Sequence, residues 1–232
     1  MTSPRSGPLL RHDLALGAAG LVVLIAWEAA GLDLSLIRHW GTPQGFPWSE
    51  NFWARTVIHD GGRWLGWGLF IGVLFGAVRG AFGLPAARWR AIALTMLACV
   101  LTVSWLKSRS LTSCPWSLAE FGGVAHHVPH WAFGVPDGGS GHCFPSGHAS
   151  TGFAFFAVYF GLRQRHPRGA RAALALTIAF GVLFGGTQMI RGAHYASHTL
   201  WTAWVCWVLS AAAFHLSWGR KDLRPEAGPL LH

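Results

Sequence analysis

Residues 141–148, with the sequence GHCFPSGH, contain the residue types that hold an anion and move a proton. Ser146, Gly147 and His148 stand immediately before an apolar run, residues 149–162. Backbone N–H groups at a helix start are free to bind an anion, and the helix dipole favours negative charge there. A histidine beside such a site is suited to proton transfer. The alternative is an interfacial turn in which Ser146 only caps the helix.

Two further polar clusters lie at the ends of apolar runs. Lys107 follows the run 91–106, and the second cluster is residues 185–201, GGTQMIRGAHYASHTLW. If residues 185–191 end a helix, Gln188 and Arg191 share one face of it. Gly192 then marks the break before the next helix. A lysine and an arginine at such positions are suited to neutralising a phosphate.

His194 and His198 share a face at i, i+4 if the next helix begins near His194. Two histidines so spaced also suit a metal ion, but metal sites normally add a carboxylate or a cysteine. No acidic residue lies near this cluster in the sequence, and Lys107 and Arg191 would repel a divalent cation. The sequence therefore predicts a phosphate site that needs no metal and no other cofactor.

The composition predicts an integral membrane protein. Only 12% of the 232 residues are charged, against roughly a quarter in soluble domains, and 52% are hydrophobic. We expect one all-α domain over residues 1–232, a bundle of six spans. The fourth span is short, and we expect a snorkelling Arg163 or Arg165 to extend it. The predicted spans are residues 14–32, 64–82, 91–106, 149–162, 170–190 and 199–218.

The basic residues predict the orientation of these spans. Twelve of the 18 Lys and Arg residues fall on one side of the predicted membrane and six on the other. The positive-inside bias makes both termini cytoplasmic, with residues 33–62 and the long loop 107–145 outside. The basic residues lie in short segments between apolar runs, so they indicate topology rather than nucleic-acid binding. We predict a bacterial inner-membrane protein whose site faces the periplasm or outside.

The order of these clusters resembles the type 2 phosphatidic acid phosphatase superfamily. This superfamily includes bacterial membrane lipid phosphatases and, more distantly, vanadium haloperoxidases. Its signatures are Lys-x6-Arg-Pro, Pro-Ser-Gly-His and Ser-Arg-x5-His-x3-Asp, and the second matches fully at residues 145–148. The first signature has Cys114 in place of Arg, and the third has Gln188 in place of Arg and His198 in place of Asp. Arg191 could supply the missing guanidinium.

The resemblance implies a lipid phosphatase that works through a phosphohistidine. His194 would be the nucleophile, and His148 the proton donor and then the base. His198 stands where the family's Asp orients the nucleophile. The phosphate would be held by Lys107, Ser146, Gly147, Arg191 and Gln188. The substrate would be a lipid phosphate or diphosphate, with no obligate protein partner evident.

Two alternatives to a lipid phosphatase remain open. A phosphotransferase with an isoprenyl diphosphate donor would share the phosphohistidine and differ in excluding water from the second step. A non-catalytic lipid-binding protein with an eroded site would be consistent with Cys114 and Gln188, which depart from the family pattern. The intact Lys107, His148 and His194 favour an enzyme over that second alternative.

The implied mechanism also predicts a disulfide between Cys114 and Cys143. Lys107 and Ser146 must contact one phosphate, which brings the two cysteine-bearing segments together in an oxidising compartment. Among other polar residues, His59 and Asp60 lie on the same predicted face as the site and could line the mouth of its pocket, but capping of the second span is the favoured interpretation. The loop histidines have no ligand spacing and are expected to be solvated; they are His126, His127, His130 and His142.

Overall fold

The computed structural model describes residues 6–130, 132 and 134–218, and this part of the chain is helical with no β-strand. One π-helix, Trp53–Asp60, leads directly into the α-helix that begins at Gly61, and a second, Phe214–Trp218, follows the α-helix that ends at Ala213. The α-helices are α1 Ser6–Ala29, α2 Leu32–Ile37, α3 Gly61–Arg79, α4 Ala86–Arg109, α5 Gly147–Phe153, α6 Phe156–Leu162, α7 Pro167–Ile190 and α8 Ala196–Ala213.

Five helical segments in the described part of the chain are long and apolar enough to cross a membrane, which makes this a multi-pass membrane protein. The second segment runs over Trp53–Arg79 and begins earlier than predicted, so residues 33–62 are not only a loop. The cause is Asn51, whose side-chain oxygen accepts hydrogen bonds from the backbone N–H groups of Trp53 (3.0 Å) and Ala54 (3.2 Å). Asn51 thereby caps the helix ahead of the purely apolar residues.

The predicted fourth span is not a continuous helix. It consists of α5 and α6, which are separated at Ala154 and Phe155, where the N–H of Phe155 donates to the carbonyl of Gly152 (3.1 Å) in a tighter turn. Gly152 packs directly on Gly181 of α7, since a Cβ on Gly152 would lie 2.7 Å from the Gly181 nitrogen. This segment is therefore the packed centre of the bundle, surrounded by α4, α7 and α8.

The segment between α4 and α5 folds back onto the junction of α7 and α8. The N–H of Trp116 donates to the carbonyl of Gly192 (2.9 Å), and a disulfide joins Cys114 to Cys143, whose Cα atoms are 5.1 Å apart. Closing this 29-residue separation ties the end of α4 to the turn before α5. The three polar clusters consequently meet at one end of the bundle.

The opposite end of the bundle contains a buried ion pair. Arg163 donates to the two carboxylate oxygens of Asp13 at 2.9 and 2.7 Å, and His215 lies 2.7 Å from the same carboxylate. The Arg163 guanidinium also lies over the ring of Phe214, 4.1 Å from its centroid. Of the two arginines expected to snorkel, Arg163 does not, because its side chain is only 7% exposed and is neutralised inside the bundle, whereas Arg165 is exposed.

Candidate active site

The turn at Ser146 is held in place by α8. Ser146 is fully buried; its backbone N–H donates to the carbonyl of His198 (3.2 Å), and its own carbonyl accepts from the Thr202 hydroxyl (3.0 Å). The Ser146 hydroxyl oxygen accepts the N–H of Ala149 at 3.4 Å, so Ser146 does cap α5. The O–H of this side chain remains available to donate to a ligand.

Two cations reach this turn from different helices. Lys107 lies in the last turn of α4, and a Cβ placed on Gly147 would be 3.9 Å from its Nζ, so the ammonium group stands beside the turn. Arg191 ends α7, where its Nε donates to the Ser49 carbonyl (2.9 Å) and its NH1 to Gln188 Oε1 (3.2 Å). The predicted contact between Gln188 and Arg191 is therefore present. Within the described residues, neither cation has a carboxylate partner.

His194 and His198 meet through their Nδ1 atoms, which are 3.1 Å apart. α8 begins at Ala196, two residues later than expected, yet Gly192 turns the chain (φ 77°) so that His194 still reaches the helix. Burial lowers the pKa of His194 well below its usual value, and the nearby charges of Lys107 and His148 lower it further. The ring is thus neutral, with Nε2 left as its second nitrogen.

His148 lies against a histidine from the N-terminal part of the chain. The rings of His148 and His59 are 4.0 Å apart between centroids, and His59 Nδ1 is 2.9 Å from the Asp60 carboxylate. The expectation that His59 and Asp60 cap the second span is wrong, since Asp60 makes no side-chain cap bond to α3. Their signal in the sequence was a histidine–carboxylate pair placed on the same predicted face as His148.

The polar site adjoins two apolar cavities. A cavity of about 460 Å³ lies between α3 and the α5–α7 region, and a second of about 230 Å³ lies between α3 and α4. Both cavities reach Thr151, which also lines the small polar space beside His148 and Gln188. A small polar space and two apolar cavities therefore lie side by side around Thr151, an arrangement that suits a ligand with a polar head and apolar chains.

A group of three possible metal ligands also occurs in the site. The Cys143 sulfur and ring nitrogens of His194 and His198 lie within 4.8 Å of one another. The Cys143 sulfur is bonded to Cys114 and is therefore not a thiolate. Two neutral imidazoles remain, one fewer protein ligand than zinc sites normally provide.

The family profile of the PAP2 superfamily matches the sequence over residues 88–222, more than half of the chain. The chain belongs to the PAP2 superfamily. No curated protein and no solved structure matched the chain. PAP2 members are generally phosphatases, so the family and the apolar helices together indicate a membrane protein of the phosphatase type.

The PAP2 match contains every residue of the predicted site but not the polar residues that α2 and the first π-helix bring next to it. The predicted residues inside the match are Lys107, Cys114, Cys143, Ser146, Gly147, His148, Gln188, Arg191, His194 and His198. His59 and Asp33 precede the match, and Asp33 is buried against α8. The N-terminal third of the chain therefore contributes to the site in addition to supplying spans.

One loop histidine departs from the expectation of solvation. The His130 side chain is only 7% exposed; its Nε2 lies 2.9 Å from the Ser197 hydroxyl, and its ring stacks on Phe144 at 4.3 Å between centroids. Burial lowers the pKa of His130 to about 4. No spacing in the sequence indicates this position, because the contact arises only when residues 107–145 fold back over α8.

Proposed function

We propose that this PAP2 protein is a membrane lipid phosphatase that uses His194 as its nucleophile. The observation that carries the proposal is the 3.1 Å contact between the Nδ1 atoms of His194 and His198. This contact fixes the His194 ring and leaves Nε2 as the attacking atom. The neutral state of the buried ring keeps a lone pair on that atom.

The first chemical step forms a bond between His194 Nε2 and phosphorus and breaks the bond to the leaving oxygen. His148, whose pKa the negative charge of the bound phosphate raises so that the ring is protonated in the complex, donates a proton to that oxygen. In the second step His148 takes a proton from water, the water oxygen attacks phosphorus, and the bond between phosphorus and nitrogen breaks. Free phosphate leaves, and both histidines return to their starting states.

The cationic end of the site stabilises the charge that develops on the phosphate oxygens. Lys107 and Arg191 supply fixed positive charge, while the Ser146 hydroxyl, the Gly147 N–H and the Gln188 amide supply hydrogen-bond donors. The polar space beside His148 is only about 10 Å³, which holds roughly one water molecule. Phosphate binding therefore requires side chains at its mouth to move, and His59 and Arg63 line that mouth.

The substrate class follows from the apolar cavities that meet at Thr151. We propose a phosphomonoester or diphosphate of a membrane lipid, whose chains lie in these cavities while the head reaches His194. Access is lateral, because the larger cavity opens between α3 and α7, both of which are candidate spans.

The proposed location is the bacterial inner membrane, with the site on the outer face and both termini in the cytoplasm. The asymmetry of the basic residues supports this orientation. The disulfide between Cys114 and Cys143 supports it too, because disulfides persist on the oxidising side of such a membrane. A reporter inserted near Gly138 should read as external and one fused after Trp218 as cytoplasmic; the opposite result would reverse the orientation.

Phosphate release by the purified protein in detergent tests the function. The panel consists of phosphatidic acid, phosphatidylglycerophosphate, undecaprenyl diphosphate and lipid A, with His194→Ala as the matched control. We expect wild-type release from at least one lipid, no loss with a chelator, and inhibition by vanadate, which mimics five-coordinate phosphorus. Transfer of phosphate to an added lipid instead of water would identify a phosphotransferase. No turnover on any lipid would favour a lipid-binding protein.

A further inference from the structure

The site lacks a carboxylate at the position where the family signature has one. The signature His-x3-Asp ends in an Asp, and this chain has His198 there. An imidazole can accept a hydrogen bond from His194, but it supplies no fixed negative charge to orient and stabilise that ring. The charge must come from elsewhere if the nucleophile is to be supported as the signature implies.

A buried carboxylate lies behind His198. Asp33 lies in the first turn of α2 and accepts hydrogen bonds from the Trp27 indole N–H (2.9 Å), from the Ser197 backbone N–H (3.0 Å) and from the Ser197 hydroxyl. His130 Nε2 is 4.0 Å from the same carboxylate and 2.9 Å from the Ser197 hydroxyl oxygen. Asp33, Ser197 and His130 thus form one connected polar group.

The donors and acceptors in this group run in a single direction. The Ser197 hydroxyl donates to Asp33, so its oxygen accepts from the Nε2–H of His130. His130 then has a lone pair on Nδ1. If His194 donates its Nδ1–H to His198 Nδ1, the neutral His198 has its proton on Nε2. These tautomers are assigned from the bonding pattern.

One link in this series is open, and its two atoms are the complementary ones. His198 Nε2 and His130 Nδ1 are both buried with no hydrogen-bond partner, the first a donor and the second an acceptor. Their ring centroids are 4.9 Å apart, closer than the 5.4 Å between the hydrogen-bonded rings of His194 and His198. The two rings are therefore neighbours, and completing the series requires a small shift of the His130 and His198 rings that brings these two atoms together while His130 Nε2 stays on Ser197.

We propose that Asp33 is the distal positioning carboxylate for His194, acting through Ser197, His130 and His198. This proposal rests on the proposed function of His194. Asp33, Ser197 and His130 do not touch the substrate. Each fixes the orientation of the next group in the series, and the hydrogen bonds fix the tautomers of the histidines. In this arrangement Asp33, in the N-terminal part of the chain, supplies the carboxylate that the family signature has at position 198.

Asp33 also has a structural role that the test must separate from positioning. Its bond to the Ser197 N–H caps the start of α8, so its removal could lower activity by loosening that helix. Returning a carboxylate to position 198 distinguishes the two roles. In a His198→Asp background His194 has its own charged partner, and the distal group is no longer needed for catalysis.

The experiment measures phosphate release from dioctanoyl phosphatidic acid in detergent micelles by the purified full-length protein. Asp33→Asn and His130→Phe are each made in the wild-type and His198→Asp backgrounds, with His126→Phe as a control for an exposed loop histidine. In wild type we expect each change to lower kcat about 10–100-fold, with KM changed less than about twofold. In the His198→Asp background we expect each change to alter kcat by less than about twofold. Equal losses in both backgrounds, or no loss in wild type, would overturn the proposal.

Ser197→Ala provides a second measurement that does not depend on His198→Asp folding. This variant removes the Ser197 hydroxyl but keeps the hydrogen bond from the backbone N–H of residue 197 to Asp33. If Asp33 has only a structural role, kcat should equal that of wild type. If Asp33 acts through Ser197 and His130, kcat should fall about tenfold. The modification rate of His194 by diethyl pyrocarbonate, read by peptide mapping, reports the same effect without turnover. If wild type releases no phosphate from any lipid, the proposed function fails. The modification rate then still tests the connection from Asp33 to His194: slower modification of His194 in Ser197→Ala supports it, and an unchanged rate contradicts it.

Discussion

Arg163 and Arg191 lie at opposite ends of the bundle, and their surroundings differ in one decisive respect. Arg163 is held by both oxygens of Asp13, with His215 on the same carboxylate and aromatic rings around the guanidinium. The contacts of Arg191 are the neutral oxygens of Ser49 and Gln188, and Lys107 beside Gly147 has no carboxylate partner among the described residues.

This difference separates structural charge from functional charge. A buried cation with a bidentate carboxylate is already neutralised, and this one joins α1, the end of α6 and the π-helix after α8. Arg191, which is buried with only neutral partners, and the partly buried Lys107 leave net positive charge, which a bound anion can neutralise. We therefore expect the same residue type to have two roles, which the presence of the carboxylate distinguishes.

The largest expected effect at the Arg191 end of the bundle is the fall in kcat when a proposed catalytic histidine is removed. His194→Ala and His148→Ala should each lower kcat by about 10⁴-fold or more, because each removes a group that forms or breaks a bond. Expression and membrane insertion should match wild type, since the Asp13 end of the bundle is untouched. Near-normal turnover by either variant would contradict the mechanism.

At the other end, Arg163→Met should act on stability. Removing Arg163 takes the bidentate partner from the buried Asp13 carboxylate, which then keeps only its histidine contacts, and breaking such a pair costs about 3–5 kcal/mol. We expect a lower unfolding midpoint in detergent, with kcat per folded molecule unchanged. The double variant Arg163→Met, Asp13→Asn should recover part of the loss, and a fall in kcat with normal stability would break the comparison.

Lys107→Met and Arg191→Met should behave in the opposite way. Each should lower kcat about 10²–10³-fold, the usual cost of losing one donor to a developing oxyanion, with little change in the unfolding midpoint. Steady-state kinetics and thermal unfolding on the same preparations measure both quantities. Destabilisation equal to that of Arg163→Met would mean that these cations are structural.

The smallest effect concerns pH. Because burial and Lys107 lower the pKa of His194, the ring stays neutral well below its usual titration range, and its acid limb in kcat/KM should lie below pH 6.5. Lys107→Met removes a nearby positive charge and should move that limb to higher pH, while Arg163→Met should leave it in place. A limb that does not respond to Lys107 would assign it to another group.

The sequence predicted the local parts of the site and the family. The Ser146 turn, the Gln188–Arg191 contact and the Gly192 break depend on residues within one or two helical turns, so spacing alone sufficed. The superfamily assignment is confirmed by the profile match. The roles of these residues in catalysis stay predictions.

The contacts that the sequence did not predict join residues far apart in the chain. Arg163 meets Asp13 across 150 positions, Ser197 meets Asp33 across 164, and His59 reaches His148 from outside the family match. Each depends on which helix faces pack together, and helices of similar apolarity give no local signal for that choice. The spacing of His194 and His198 was visible in the sequence because both residues lie around the start of one helix. The positions of Asp33 and His130 behind His198 were not visible, because they depend on how α2 and the 107–145 segment pack on α8.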